Sequence, residues 1–263
     1  MTPHPDAPRS RRERPAKPAL TRAGIVAAAV EIMRAEGLQR VTMRRLAQQL
    51  DTGPASLYVY VRNAAELHAA VLDELLGEVD LAPVRTAGDW RGRLEAVLTS
   101  YTGVLFEYPG LAQSALVARP SGEHYLTLIE ALLSLLDEGG VPAGQAAWGV
   151  DLLLQYATAT AAEHATGEGA ADTRAAAARD AEIRAEWDAV GRALHGASDR
   201  THPHIAARAT ELLSGTPQAR LSWGFQMLIN GIVHTPTPTP APTFTPADTR
   251  PTPQDPEARE TPG

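Results

Sequence analysis

Between residues 20 and 80 the apolar positions recur every three or four residues, and Gly, Pro and capping residues interrupt them at short intervals. That spacing puts one face of a helix against a core. Ile25, Ala29, Ile32 and Met33 share a face over residues 21–36, and Gly37 follows as a C-terminal cap. Met43, Leu46, Ala47 and Leu50 define a second, short helix over 43–50, and Asp51-Thr52-Gly53 reads as a turn. Pro54 opens a third helix over 54–60, where its missing N–H costs nothing. Leu57 and Val61 can point inward while Ala55, Ser56, Tyr58, Val59 and Tyr60 point elsewhere. Asn63, with Glu66 as capping-box partner, starts a fourth helix that Val71, Leu72, Leu75 and Leu76 carry to about Val79. Residues 81–88 hold Pro83 and Gly88 and read as a linker.

The period stays helical beyond it. Asp89 caps a helix to about Tyr108, with Trp90, Leu94, Val97, Tyr101, Val104 and Leu105 in step, and Pro109 breaks it. Helices are expected over 110–118, 121–138, 142–165, 173–193, 204–214 and 216–233. The fourth of these shows a stripe of Ile183, Trp187, Val190 and Leu194; in the last, Thr216 caps and Pro217 sits in the first turn. No alternating run suggests a strand. The fold class is therefore all-α, with about nine or ten helices. The pattern divides the chain into a disordered basic arm (1–19), a helix-turn-helix unit (20–80), a larger helical unit (89–234) and a Pro/Thr-rich disordered tail (235–263) with nine prolines.

Charge sharpens this picture. The net charge is −7, which by itself argues against binding a polyanion. Residues 1–62, however, hold 11 Lys/Arg against 5 Asp/Glu, while residues 63–263 hold 13 against 26. Attraction to phosphate depends on local potential within a Debye length of about 8 Å. A basic end on an acidic body suits contact with DNA through one end.

Composition removes other classes. The absence of cysteine excludes disulfides, a thiol nucleophile and thiolate metal sites, and agrees with a reducing cytoplasm. No apolar run approaches the ~20 residues of a membrane span, and the N-terminus lacks the apolar core of a secretion signal, so a soluble cytoplasmic protein with no membrane partner is expected. None of the eight histidines forms HExxH or pairs with a Gly-x-Ser-x-Gly elbow or phosphate loop. His202-Pro203-His204 is too short for a metal site. The expectation is no enzyme, no cofactor and no metal.

The stretch Leu20–Val79 strongly resembles the DNA-binding domain of the tetracycline-repressor (TetR) family of transcriptional regulators. The likeness rests on Ala35-Glu36-Gly37 closing the first helix, then Val41-Thr42-Met43-Arg44-Arg45-Leu46-Ala47, then Leu57-Tyr58-Val59-Tyr60-Val61 with Arg62-Asn63 and Glu66-Leu67. Two positions depart from the family pattern. Asp51 stands where Gly is usual in the turn, and Ala64 stands where a phosphate-contacting Lys is frequent.

The resemblance implies a homodimer on a palindromic double-stranded operator. Arg44 and Arg45 would lie near DNA, with Arg44 the one able to reach a base or phosphate, against the alternative of a solvated helix face. Thr42 would cap its helix and could touch phosphate. Pro54, Ala55, Ser56 and Val59 would face the major groove, close enough for thymine methyls. Tyr58 and Tyr60 would bond phosphates and fix register, Tyr60 alternatively packing on the first helix. Arg62 or the arm (Arg9, Arg11, Arg12, Arg14, Lys17) would supply further backbone affinity.

The remaining helices are implied to bind a small-molecule effector and to dimerise. Tyr101, Leu105, Phe106, His124, Tyr125, Trp148, Leu152, Gln155 and Tyr156 are the candidate pocket lining, with Asp151 and His164 as further polar partners. The helices over 142–165 and 216–233 are the candidate dimer faces, with Gly149, Ala157, Ala161, Gly224 and Gly231 allowing close approach. The fourth helix would transmit effector binding to the reading head, most simply releasing a repressor from its operator. A DNA-binding or architectural protein that answers to no ligand is the alternative.

Overall fold

The computed structural model describes residues 19–116, 120–164 and 173–238, without the side chains of Pro109, His164, residues 173–180 and Ile183. The basic arm, the tail beyond Pro238 and the expected roles of His164 and Ile183 therefore lie outside the described residues.

The described residues form twelve α-helices and no strand. The first four are α1 (Arg22–Glu36), α2 (Met43–Gln49), α3 (Pro54–Leu57) and α4 (Ala64–Leu76). Side-chain caps start three of them: Thr21 Oγ1 accepts from Gly24 N (3.0 Å), Thr42 Oγ1 from Arg45 N (3.2 Å) and Asn63 Oδ1 from Glu66 N (2.8 Å). The capping box at α4 is displaced by one residue, because the Glu66 carboxylate accepts from Arg62 N rather than Asn63 N. Ile25, Ala29, Ile32, Leu46, Leu57, Val61 and Leu67 close a dry core among these helices.

The expected linker is packed. After α4, residues Ala82–Arg85 make one tight helical turn, with Leu81 and Val84 against the core. The buried Arg93 holds this turn by donating to the Thr86 carbonyl (2.9 Å) and pairing with Glu138. A guanidinium has enough donors to satisfy several carbonyls at once, and that is why a Pro- and Gly-containing segment does not behave as a tether.

Eight helices follow: α5 (Trp90–Glu107), α6 (Pro109–Ala115), α7 (Glu123–Glu138), α8 (Ala143–His164), α9 (Thr173–His195), α10 (Pro203–Ala206), α11 (Ala209–Leu213) and α12 (Pro217–His234). The count exceeds nine or ten partly because the segment over 204–214 breaks at Ala207-Arg208 into two short helices. Helices α5, α7, α8 and α12 bury Leu94, Leu98, Leu132, Leu136, Leu153 and Phe225 against one another. The α9 stripe is not buried as its spacing suggests: Trp187 and Val190 are exposed, because α11 meets α9 further on, near Gly191 and Leu213. No described helix is long and apolar enough to cross a membrane.

Small residues of α8 and α12 serve packing within the chain. A Cβ on Gly149 would lie 2.9 Å from Ile232 Cδ1, and a Cβ on Gly224 would overlap the Tyr156 hydroxyl. Ala157 and Ala161 are fully buried. Only Gly231 among the five faces open space. The outward apolar residues of these two helices are instead Trp148, Leu152, Trp223 and Met227.

Candidate functional site

The reading head is built by burying one side of α2 and α3 and leaving the other bare. Met43, Leu46, Ala47 and Leu57 are buried, Val61 fixes the chain beyond α3, and His68 of α4 donates to the Val41 carbonyl (3.0 Å). The turn depends on Asp51, the one described non-glycine residue with positive φ (46°), a conformation Asp tolerates better than most. Helix α3 is a single turn with Pro54 at its start, shorter than the expected 54–60, although Tyr60 N and Val61 N still bond the Leu57 carbonyl at 2.9 and 3.0 Å.

What stays exposed is Thr42, Arg44, Pro54, Ala55, Ser56, Tyr58, Val59, Tyr60 and Arg62. Val59 is 80% exposed, unusual for a β-branched apolar side chain unless something covers it. Arg44 has no ion-pair partner among the described residues, whereas Arg45 is held inward. Its guanidinium donates to Glu36 Oε1 at 2.6 Å and to Gln49 Oε1 at 3.1 Å. The Arg45 bond is the main reason the Glu36 carboxyl titrates below the ordinary carboxylate range. Arg62 is exposed but pairs with Glu66 at 3.0 Å.

A second site lies in the helical body. A cavity of about 320 Å³ is lined by Tyr101 of α5, Ala115 and Leu116 at the end of α6, Pro120, Tyr125 of α7, and Asp151, Leu154, Gln155, Thr158 and Ala159 of α8. At its wall Thr158 Oγ1 donates to the Leu154 carbonyl (2.7 Å), so its hydroxyl accepts from Tyr101 OH (2.8 Å). Burial pushes the Tyr101 phenol up to about 12. At the rim Gln155 Nε2 donates to Asp151 Oδ2 (3.0 Å). The combination is an apolar chamber with a few convergent hydroxyl, amide and carboxylate groups, as small-molecule sites require.

Two family models match this chain. Residues 25–71 match "Bacterial regulatory proteins, tetR family", and residues 82–235, more than half of the chain, match "Tetracyclin repressor-like, C-terminal domain". The chain belongs to the TetR family of transcriptional regulators. Two crystal structures from Streptomyces coelicolor are similar to it. One, described as a transcription regulator, is 58% identical with TM-score 0.69, covering 86% of this chain and 100% of that one. The other, the TetR family protein ActR in complex with actinorhodin, is 31% identical with TM-score 0.68, covering 82% and 96%. The "HTH-type transcriptional repressor DrrR1" of Streptomyces coeruleorubidus is 37% identical over 44% of this chain and 46% of its own length. The chain spans about half the length of the first curated relatives it matches.

Within this TetR fold the expected pocket residues separate. Tyr101, Tyr125, Asp151 and Gln155 line the cavity. Leu105 is core and Phe106 packs against it. His124 lies over Gly77 of α4, and Tyr156 stands edge-on to Phe225, 5.5 Å between ring centres, rather than facing the cavity. Trp148 and Leu152 face outward. At about 100° per residue, 151, 155 and 158 share a face; Leu152 lies about 100° round from Asp151, and Trp148, though on nearly the same side, sits a turn earlier, outside the lining. Leu154 and Thr158 also line the cavity and were not among the expected residues. The signal was present: Asp151, Gln155 and Thr158 form a polar line along one face of α8.

Proposed function

We propose that this chain is a ligand-responsive, sequence-specific DNA-binding regulator, acting as a homodimeric repressor that a small molecule releases from a palindromic operator. The observation that carries the reading is the bare face of α2 and α3, where Arg44, Ser56, Tyr58 and the 80%-exposed Val59 stand clear of a fully buried core. Small residues at the start of α3 let its backbone approach base edges, and the hydroxyls suit phosphate.

One such head covers too little surface for specific binding, so two are needed, with half-sites about 34–36 Å apart or a multiple of that. Trp148, Leu152, Trp223 and Met227 are the candidate contacts between two copies. The cavity, and the actinorhodin complex of a relative 31% identical, support a small-molecule effector of the aromatic, hydrogen-bonding kind. Its occupation would favour a spacing of heads that the operator rejects.

Selection of duplexes from sheared genomic DNA by the purified full chain tests this. The expected outcome is an inverted-repeat site bound by two copies. Recovery of no duplex at low salt overturns the reading.

A further inference from the structure

Helix α7 begins without a cap of its own. Its N-cap is Gly122, which has no side chain to satisfy the first-turn amides. The backbone there (φ −90°, ψ −175°) is the extended conformation any residue adopts at an N-cap, so glycine is not required for its flexibility. It is required for room. A Cβ on Gly122 would run into the carboxylate of Asp73, which reaches across from the last turn of α4. Asp73 Oδ1 accepts from Tyr125 N at 3.0 Å. A carboxylate at a helix N-terminus also gains from the helix dipole. One turn further along α4, Gly77 makes a second notch, its would-be Cβ 2.9 Å from the His124 ring.

This joins the two sites already described. The far end of α4 is capped by Asn63 directly after the reading head, and its Leu67 is buried in the core of α1–α3. The residue whose amide Asp73 holds, Tyr125, is itself a wall of the cavity. Other contacts between α1–α4 and the body, such as Arg34 with Tyr108, or Leu38 against Gly110, involve no cavity-lining residue. Helix α4 also packs on α6, whose end reaches the cavity rim. That packing can slide, whereas a hydrogen bond to a helix N-terminus has a direction and is lost over a small shift.

We infer that Asp73 is the positioning residue that couples α4 to the cavity wall, by capping α7 from another helix. The inference rests on the regulator reading above. A guest that displaces Tyr125 pulls on Asp73 and tilts α4. By linkage, DNA that fixes α4 must steady the start of α7.

The test needs no identified effector. Amide hydrogen exchange over residues 120–128 of the full chain is measured with and without a duplex recovered by selection. In the unaltered chain the duplex is expected to slow exchange there at least about fivefold, the low end of ordinary coupling between linked sites. Asp73→Ala combined with Gly122→Ser removes the link but restores a cap from α7's own chain. That variant is expected to melt like the parent and bind the duplex, yet show no slowing. Asp73→Asn keeps an acceptor and is expected to retain the response. An unaltered chain that ignores the duplex overturns the inference, as does a double variant that responds like the parent. Should the double variant not fold, Asp73→Ala alone, which leaves Tyr125 N without its acceptor, is measured in its place, and a response like the parent's overturns the inference. A failure to recover any duplex instead strikes the regulator reading itself.

Discussion

Arg45 donates to the carboxylate of Glu36, nine residues earlier and in the preceding helix, with Nη2 to Oε1 at 2.6 Å. Its neighbour Arg44 points to solvent. Two adjacent arginines in a basic reading head thus have different roles. One fastens α2 to the end of α1, and the other is the arginine proposed to meet DNA.

The two should separate on substitution. Arg44→Ala is expected to weaken operator binding by about 1–3 kcal/mol if it reads a base, or to reduce the salt slope by about one if it meets phosphate. Arg45→Ala is expected to lower the melting temperature and to affect DNA mainly through that loss. Fluorescence anisotropy across a salt series, beside calorimetry, measures both. Equal effects of the two on affinity with unchanged melting would contradict the division.

Acid should loosen the reading head first. Glu36 is held below the ordinary carboxylate range chiefly by the Arg45 hydrogen bond, and Glu66 chiefly by the Arg62 backbone N–H. A carboxyl whose folded pKa is depressed stabilises above its unfolded pKa, and that stability is lost as pH falls through the folded value. Melting temperature is therefore expected to drop as pH goes from the ordinary glutamate range downward. Glu36→Gln with Glu66→Gln should flatten that dependence. A parallel pH profile for parent and variant would count against it.

The cavity wall titrates at the other extreme. With the Tyr101 phenol pushed up to about 12 by burial, folding favours its protonated form, so stability is intact below the ordinary tyrosine range and falls as pH rises toward 12. Ultraviolet titration should show a tyrosine titrating near 12 that Tyr101→Phe removes, beside Tyr108, which burial also raises. Thr158→Val leaves the buried Tyr101 hydroxyl without its acceptor and is expected to cost about 1–3 kcal/mol in urea unfolding. Adding Tyr101→Phe should recover much of that.

Two glycines of α12 should respond with opposite sign. Gly224→Ala drives a methyl into the Tyr156 hydroxyl and is expected to destabilise by about 1–3 kcal/mol. Gly231→Ala meets nothing within 4 Å and should gain about 0.5–1 kcal/mol from helix propensity. Chemical denaturation of both variants is the measurement.

Local patterns were enough for much of this protein. The caps at Thr42, Asn63, Asp89 and Thr216 act within three residues, so the chain order alone specifies them. The same holds for the apolar faces of α1, α2 and α4, and for the bare residues after Pro54, because a 3.6-residue period says which side each residue occupies. Tertiary structure alone decided which helix each face meets. Trp148, Leu152 and Tyr156 were expected at the pocket along with Gln155, but the cavity opens on the side of Asp151, Gln155 and Thr158. Gly149 and Gly224 read as generic small residues until Ile232 and Tyr156 filled the space above them. Arg93 and Asp73 act on backbone groups that are 7 and 52 residues distant in sequence. Periodicity orients a residue about its own helix axis; the neighbour it finds there depends on how the helices cross, and that is settled by packing of the whole chain.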